Sequence, residues 1–212
     1  MLPPLLPLFP LPTVVLFPGV FLPLHIFEPR YKQMVARALE GDRIIGMTLL
    51  KPGHDVAYEG RPPVFEMGCA GLITHVERQN DGTFNLILRG LSKFRIDQEE
   101  PPTDGVLYRI AHVTPFDETV TPGDRKALGS ERQRLEILLA PSLERESGGS
   151  RLPRDMADDD LVNALSQYLD LEAVEKQALL ERDGVLARCR TLVELIEMKL
   201  LMQSQPDSGK LH

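Results

Sequence analysis

The stretch that decides the fold is Leu5–Tyr31, LLPLFPLPTVVLFPGVFLPLHIFEPRY, at the start of a chain of 212 residues. No Asp, Glu, Lys or Arg occurs from Met1 to Phe27, so hydropathy alone would suggest a signal peptide or a membrane anchor. The many prolines exclude a spanning helix, because each one removes a backbone donor and costs roughly 3 kcal/mol inside a helix. A basic start and a small-residue cleavage site are also missing. Extended chain is therefore predicted, with brief buried strands at the apolar runs 14–17, 20–22 and 24–27.

The extended chain is predicted to run into a helix at Phe27-Glu28-Pro29. Proline has the fixed φ that suits the first position of a helix, and Gly41 is a suitable left-handed cap at the other end. The apolar residues between them recur at helical spacing: Tyr31, Met34, Val35, Ala38 and Leu39. Glu28 and Arg30 are expected to fix this corner rather than to contact a ligand.

Strand patterns follow up to residue 116. Residues 43–50 and 106–116 are predicted strands, and residues 64–78 and 83–97 flank a hairpin turn at Asn80-Asp81-Gly82. Gly90 interrupts the inward-facing side of the second arm, as happens where a strand bends around a closed barrel. That inward face is made by Phe84, Leu86, Leu88, Phe94 and Ile96.

From Thr121 the apolar period changes from two to 3.6 residues, which indicates helices. The first is predicted over residues 124–140, followed by a flexible connection over 141–157 that contains Ser147-Gly148-Gly149-Ser150. Further helices are expected from Leu161, from a cap at Asp170 and from Asp183. We therefore predict an α+β fold with three parts: a small curled β-barrel with one crossing helix over 1–118, an α-helical bundle over 119–204, and a flexible tail over 205–212.

Several of these stretches resemble the amino-terminal, substrate-binding domain of Lon proteases. The motifs are LFPG at 16–19, LPLHIFEPRY at 22–31, GCAGLI at 68–73 and GLSKFRI at 90–96, with a helical part over 161–195. The resemblance includes the free-standing bacterial proteins that consist of this domain alone, without the ATPase and peptidase modules. It implies a PUA-like barrel with a helical bundle, and a non-catalytic protein that binds polypeptide in connection with proteolysis.

Composition narrows the classes of partner. Lys plus Arg number 24 against 31 for Asp plus Glu, a net charge of −7, which disfavours nucleic acid and anionic membranes as partners. The two cysteines, Cys69 and Cys189, are far apart and fit buried thiols in a reducing compartment. The cytoplasm is the expected location.

Catalytic and cofactor motifs are missing from the sequence. The single Gly-Lys pair, Gly209-Lys210, is followed by leucine and lacks the phosphate-binding pattern. The five histidines have no partner at metal-ligand spacing, and no nucleophile elbow occurs. The acidic run Asp158-Asp159-Asp160 is expected to favour a helix start rather than bind a metal. We therefore predict no enzyme, no catalytic residue, no cofactor and no metal.

A binding surface is the remaining hypothesis. Phe9, Phe17, Phe21 and Phe27 all lie in the uncharged stretch, and the simplest expectation is that all four are core residues. The alternative is that some of them contact unfolded or extended polypeptide or a partner protein, together with the adaptable end of the last helix. The predicted contact residues are Phe9, Phe21, Met198, Leu201 and Met202.

Two other classes stay open. PUA-like barrels also bind small ligands or RNA, which here would need a basic patch built from Arg30, Lys32, Arg37 and Arg43. A hydrolase would need paired carboxylates, or a serine beside a histidine or lysine, brought together in a deep polar pocket.

Overall fold

A computed structural model describes residues 2–53, 60–147 and 155–204, and the predicted tail and parts of two predicted loops lie outside these ranges. Within them the chain forms six strands and five helices. The strands are β1 (Leu5–Leu11), β2 (Phe21–Ile26), β3 (Ile44–Leu49), β4 (Met67–Arg78), β5 (Phe84–Glu99) and β6 (Arg109–Phe116). The helices are α1 (Pro29–Leu39), α2 (Pro122–Ser147), α3 (Asp158–Tyr168), α4 (Ala173–Leu180) and α5 (Val185–Ser204).

The sheet closes into a barrel because the long strand β5 has different partners at its two ends. Its first half pairs with β2 and β4, and its second half pairs with β6. Strand β4 pairs with β3, β3 pairs in parallel with β1, and β1 pairs with β6. Five strands therefore form a ring, and β2 extends from β5 beside it. The predicted α+β fold with a curled barrel and one crossing helix is confirmed.

Gly90 lies where β5 passes closely under the segment that leads into β2. Its carbonyl accepts a hydrogen bond from the Gly19 amide at 3.0 Å, and its own amide donates to the Val20 carbonyl at 2.8 Å. A Cβ atom at this position would lie 2.0 Å from the Phe17 carbonyl oxygen. A register shift in the β4–β5 pairing lies next to it, between Cys69 and Gly71. The predicted interruption of β5 is therefore explained by close backbone approach, which requires a residue without a side chain.

The hairpin prediction is confirmed in both arms and in the turn. Gly82 has φ 78° and donates its amide to the Gln79 carbonyl, while the Gln79 amide donates to the Thr83 carbonyl. The Asp81 side chain accepts from both the amide and the hydroxyl of Thr83, at 2.9 and 2.7 Å. These bonds lower the pKa of Asp81, so its carboxylate stays ionised and keeps the turn closed.

The first strand was missed and one predicted strand is wrong. Residues 14–17 form no strand, although Val15, Leu16 and Phe17 are buried. The strand is instead Leu5–Leu11, which contains Pro7 and Pro10. Residues 5–8 pair with β6 on one side of the strand, and residues 8–11 pair with β3 on the other side. Most residues of β1 therefore have a neighbouring strand on one side only. A proline nitrogen can face the unpaired side there without loss of a ladder hydrogen bond.

Helix α1 begins at Pro29 as predicted and buries Tyr31, Met34, Val35 and Ala38. The prediction that Gly41 is the left-handed residue after it is wrong, because Arg43 has that conformation, with φ 60°. The Arg43 amide donates to the Ala38 carbonyl at 3.0 Å, which holds the residue in place.

Two other helix limits differ from the prediction. Helix α2 continues through Pro141 to Ser147, so the connection begins later than residue 141. Helix α4 begins after Glu172 rather than at a cap on Asp170. The Glu175 carboxylate accepts a hydrogen bond from the Glu172 amide at 2.7 Å, and this bond selects the later start.

The described residues divide into two compact units. The first contains the residues up to Glu118 together with Asn163–Glu181, and the second contains Thr119–Val162 with the residues from Arg182 onward. The domain limits predicted from the sequence stay predictions, and Asn163–Glu181 belong to the same unit as the barrel. Three side-chain bonds to barrel backbone explain this: Phe17 N to Gln167 Oε1 at 3.2 Å, Gln177 Nε2 to Met67 O at 3.0 Å and Tyr168 Oη to Phe21 O at 2.7 Å.

Candidate functional site

An apolar groove lies between the segment that leaves β1 and the corner where β2 runs into α1. Its volume is about 660 Å³. Both walls come from the uncharged leading stretch and from the first turn of α1, so the fold brings together residues about 15 positions apart in sequence. The lining residues are Phe9, Leu11, Pro12, Thr13, Leu24, His25, Ile26, Phe27, Glu28 and Tyr31.

The floor of the groove is built from two aromatic rings. Phe9 is 4% exposed, and its ring centroid lies 4.3 Å from that of Tyr31 with a tilt of 53°. The Tyr31 hydroxyl donates to the Pro10 carbonyl at 3.2 Å, so the phenol is fixed at its polar end. Tilted aromatic pairs of this kind add to the stabilisation from burial, which makes the floor rigid.

The rim of the groove exposes a large apolar side chain. Phe27 is 62% exposed, and its ring stacks on His25 with the centroids 6.0 Å apart. His25 Nδ1 donates to Asn85 Oδ1 at 2.7 Å on the neighbouring strand β5. This bond holds the imidazole against the sheet, and the imidazole in turn supports the exposed phenylalanine.

A salt bridge fixes the corner below the rim. The Arg30 Nε donates to Glu28 Oε2 at 3.0 Å, and its guanidinium carbon lies 4.5 Å from the Tyr31 ring centroid. Pro29 occupies the first turn of α1 between the two paired residues. Glu28 and Arg30 therefore contact each other at the strand-to-helix corner, as predicted for this position.

The outer edge of β2 offers few groups for strand addition. The Gly90 amide bonds to the Val20 carbonyl, and because hydrogen-bonded pairs alternate, the backbone groups of Phe21, Pro23 and His25 face away from β5. Pro23 has no amide hydrogen, and the Phe21 carbonyl already accepts the Tyr168 hydroxyl at 2.7 Å. Proline on an edge strand is a known means of preventing edge pairing.

The predicted contact residues occupy different positions. Phe9 is buried under the groove and forms its floor. Phe21 is 50% exposed and is not one of the residues that line the groove. Met198, Leu201 and Met202 are exposed near the end of α5 and belong to the second unit. The expectation that all four phenylalanines of the leading stretch are core residues is wrong, since Phe21 and Phe27 are exposed.

Sequence reasoning missed Phe27 and Leu24 as groove residues, although a signal for Phe27 was present. In β2 the side chains of Phe21, Pro23 and His25 alternate with those of Leu22, Leu24 and Ile26. Continued by one residue, the same alternation places Phe27 on the side of Phe21, Pro23 and His25, which are exposed. Applied strictly to FLPLHIF, it predicts an exposed aromatic at the strand-to-helix corner.

Metal-binding side chains and cysteines were both considered as reactive groups in the sequence. No set of three His, Cys, Asp or Glu side chains there could hold a metal ion. Cys69 and Cys189 are buried free thiols, as predicted. Burial raises the pKa of Cys189 to about 12, which keeps it protonated and unreactive at neutral pH.

None of the described helices combines the length and the apolar character needed to cross a bilayer.

Comparison with known proteins agrees with the fold. The chain is 23% identical to the Lon protease of Cytophaga hutchinsonii over 94% of its own length, and 25% identical to Lon protease 2 of Myxococcus xanthus over 93%. It spans about a quarter of the length of these two relatives.

Two solved structures share its fold. The N-terminal domain of a Mycobacterium avium complex Lon protease superposes with a TM-score of 0.65 at 17% identity, covering 91% of this chain and 98% of that one. A Lon N-terminal domain protein from Xanthomonas campestris superposes with a TM-score of 0.57 at 24% identity, covering 95% and 99%. The family described as the ATP-dependent protease La (LON) substrate-binding domain matches residues 5–198. This chain is therefore a member of the Lon substrate-binding domain family.

Proposed function

We propose that this protein binds extended or unfolded polypeptide segments, and that the groove takes their apolar side chains. The observation that carries the proposal is the exposed Phe27 on the rim of an apolar groove of about 660 Å³, a size typical of ligand sites. Exposed apolar surface beside a preformed cavity is characteristic of interaction sites. The family description, a substrate-binding domain, supports the same reading.

Side-chain contact, rather than strand addition, supplies most of the affinity in this proposal. An added strand would meet Pro23, which lacks an amide hydrogen, and a Phe21 carbonyl that Tyr168 already occupies. The groove has no such restriction, because its floor and rim are aromatic and aliphatic side chains. Such sites tolerate many sequences, which suits a protein that meets varied unfolded segments.

We infer that the protein acts by binding and not by catalysis, in connection with proteolysis. Support comes from the family, whose description concerns substrate binding, and from relatives that are Lon proteases about four times as long. Exposed Phe21 in the first unit is proposed as a further polypeptide contact, and so, separately, are Met198, Leu201 and Met202 in the second unit.

Phe27→Ala is expected to weaken binding of a fluorescein-labelled, extended apolar peptide about tenfold, because it removes the exposed part of the rim. Fluorescence anisotropy measures the change in dissociation constant. Val174→Ala is the matched control, since Val174 is an exposed apolar residue in the same unit but outside the groove. Equal effects of the two substitutions, or no binding by the unsubstituted protein, would contradict the proposal.

A small apolar ligand is a second candidate, because the groove volume lies in the range of such sites. RNA has less support. Of the four residues that would form a basic patch, Arg30 pairs with Glu28 and Arg37 pairs with Glu40 at 3.4 Å. Displacement of the labelled peptide by a small ligand at the groove, with no displacement by unfolded protein, would favour this second candidate.

A further inference from the structure

A second cavity shares Tyr31 with the groove. Its volume is about 260 Å³, and three arginines line it together with Tyr108: Arg30, Arg61 and Arg109. The Tyr31 ring is shared by both cavities, with Phe9 against it in the groove and the Arg30 guanidinium over it in the second cavity. An apolar site and a cationic site are therefore neighbours.

Two of the three guanidinium groups are neutralised by carboxylates. Arg30 pairs with Glu28 at 2.9 Å. Arg109, which is 8% exposed, forms a two-pronged pair with Glu99 and also donates to the Pro62 carbonyl at 2.7 Å. These pairs hold both side chains in fixed positions along the cavity wall.

Arg61 differs from the other two because it has no carboxylate partner among the residues that the structure describes. Its Nη1 donates to the backbone carbonyl of Glu100 at 2.7 Å, and the side chain is otherwise exposed. That bond orients the guanidinium. Among the described residues that line the cavity, Arg30 and Arg109 are paired with a carboxylate and Arg61 is not.

Tyr108 lines the same cavity as an uncharged side chain. Burial raises the pKa of its phenol, so the hydroxyl stays protonated across the physiological range. An arginine guanidinium suits a carboxylate, because the carboxylate accepts two parallel N–H bonds from it.

We propose that this cavity binds a carboxylate of the polypeptide whose apolar side chain fills the groove. The inference rests on the proposed function and names its substrate class: extended segments that carry a carboxylate near an apolar residue. The carboxylate is either that of Asp or Glu or that of a chain end.

The experiment compares three labelled peptides that share one apolar anchor. The first has an internal glutamate, the second has the matching glutamine with an amidated end, and the third has the glutamine with a free carboxyl end. With the unsubstituted protein at low salt, we expect the first or the third peptide to bind about tenfold more tightly than the second. The reason is that the peptide carboxylate forms a charge-assisted hydrogen bond with a guanidinium group of the cavity. The carboxylate source is the one that gives the gain.

Arg61→Ala is expected to remove this preference while the neutral peptide binds as before. Arg95→Ala is the matched control, because Arg95 is a similarly exposed arginine on the distal half of β5 and does not line the cavity. Equal binding of all three peptides by the unsubstituted protein would overturn the inference. A preference for the carboxylate that persists in Arg61→Ala would overturn it too. Either result would leave the proposed function intact. Failure of every peptide to bind would overturn both.

Discussion

Replacing Glu118 by glutamine is expected to destabilise the protein by about 3 kcal/mol, because it leaves a buried lysine without its counter-charge. The Lys93 side chain is fully buried, and its Nζ lies 2.7 Å from Glu118 Oε1. The same nitrogen donates to the Leu180 carbonyl at 3.1 Å and lies 4.6 Å from the Phe116 ring centroid. Urea unfolding followed by circular dichroism measures the loss.

The double substitution Lys93→Met with Glu118→Leu separates charge from packing. Apolar side chains of similar volume often replace a buried ion pair without loss of stability, so the double variant is expected to recover most of what Glu118→Gln loses. Glu40→Gln is the matched control, because its partner Arg37 is largely exposed and such pairs contribute about 0–1 kcal/mol. A double variant as unstable as Glu118→Gln would show that the lysine acts through packing or its bond to Leu180 instead.

Gly90→Ala is expected to destabilise the barrel by about 2–4 kcal/mol, since the added methyl group forces a backbone shift. A Cβ atom there lies 2.0 Å from the Phe17 carbonyl oxygen, and that carbonyl belongs to the segment that enters β2. The shift would also strain the bonds of Gly90 with Gly19 and Val20. The change in the urea midpoint, at constant m value, reports the loss.

Gly129→Ala serves as the control for a glycine without such a contact. Gly129 lies inside α2, and a Cβ atom there meets nothing within 4 Å. Alanine has the higher helix propensity, so this substitution is expected to stabilise the protein by about 0.5–1 kcal/mol. Comparable destabilisation by both substitutions would contradict the steric explanation for Gly90.

The sequence predicted what depends on local patterns. The turn at Gly82 and the start of α1 at Pro29 follow from backbone preferences that hold within a few residues. The inward face of β5 follows from alternation, and Phe84, Leu86, Leu88 and Phe94 are buried as expected. The interruption of that face by glycine also indicated closure of the barrel.

Features that depend on distant contacts could not be predicted in this way. The segment Asn163–Glu181 has the pattern of a helical bundle, yet Gln167 and Gln177 bond to barrel backbone 150 and 110 residues away. Such bonds leave no periodic trace in the sequence. The strand Leu5–Leu11 was missed for a related reason, because its prolines are tolerated only through the arrangement of its two neighbours.

Binding at the groove stays a prediction, and most of the lining residues differ from those named from the sequence. The excess of apolar side chains in the leading stretch indicated a binding surface, and the groove lies in that stretch. Phe9 lines it from below, whereas the exposed rim residue is Phe27. The walls come from segments on either side of the buried residues 15–17, so their proximity follows from the path of the chain through the barrel.

Polypeptide binding at the groove can be measured by titrating the isotope-labelled protein with a reduced and carboxymethylated, permanently unfolded protein and recording methyl NMR spectra. Saturable shifts are expected in the methyl groups of Leu11, Leu24 and Ile26, and these shifts should be lost in Phe27→Ala. Shifts confined to α5, or none at millimolar ligand, would contradict binding at the groove.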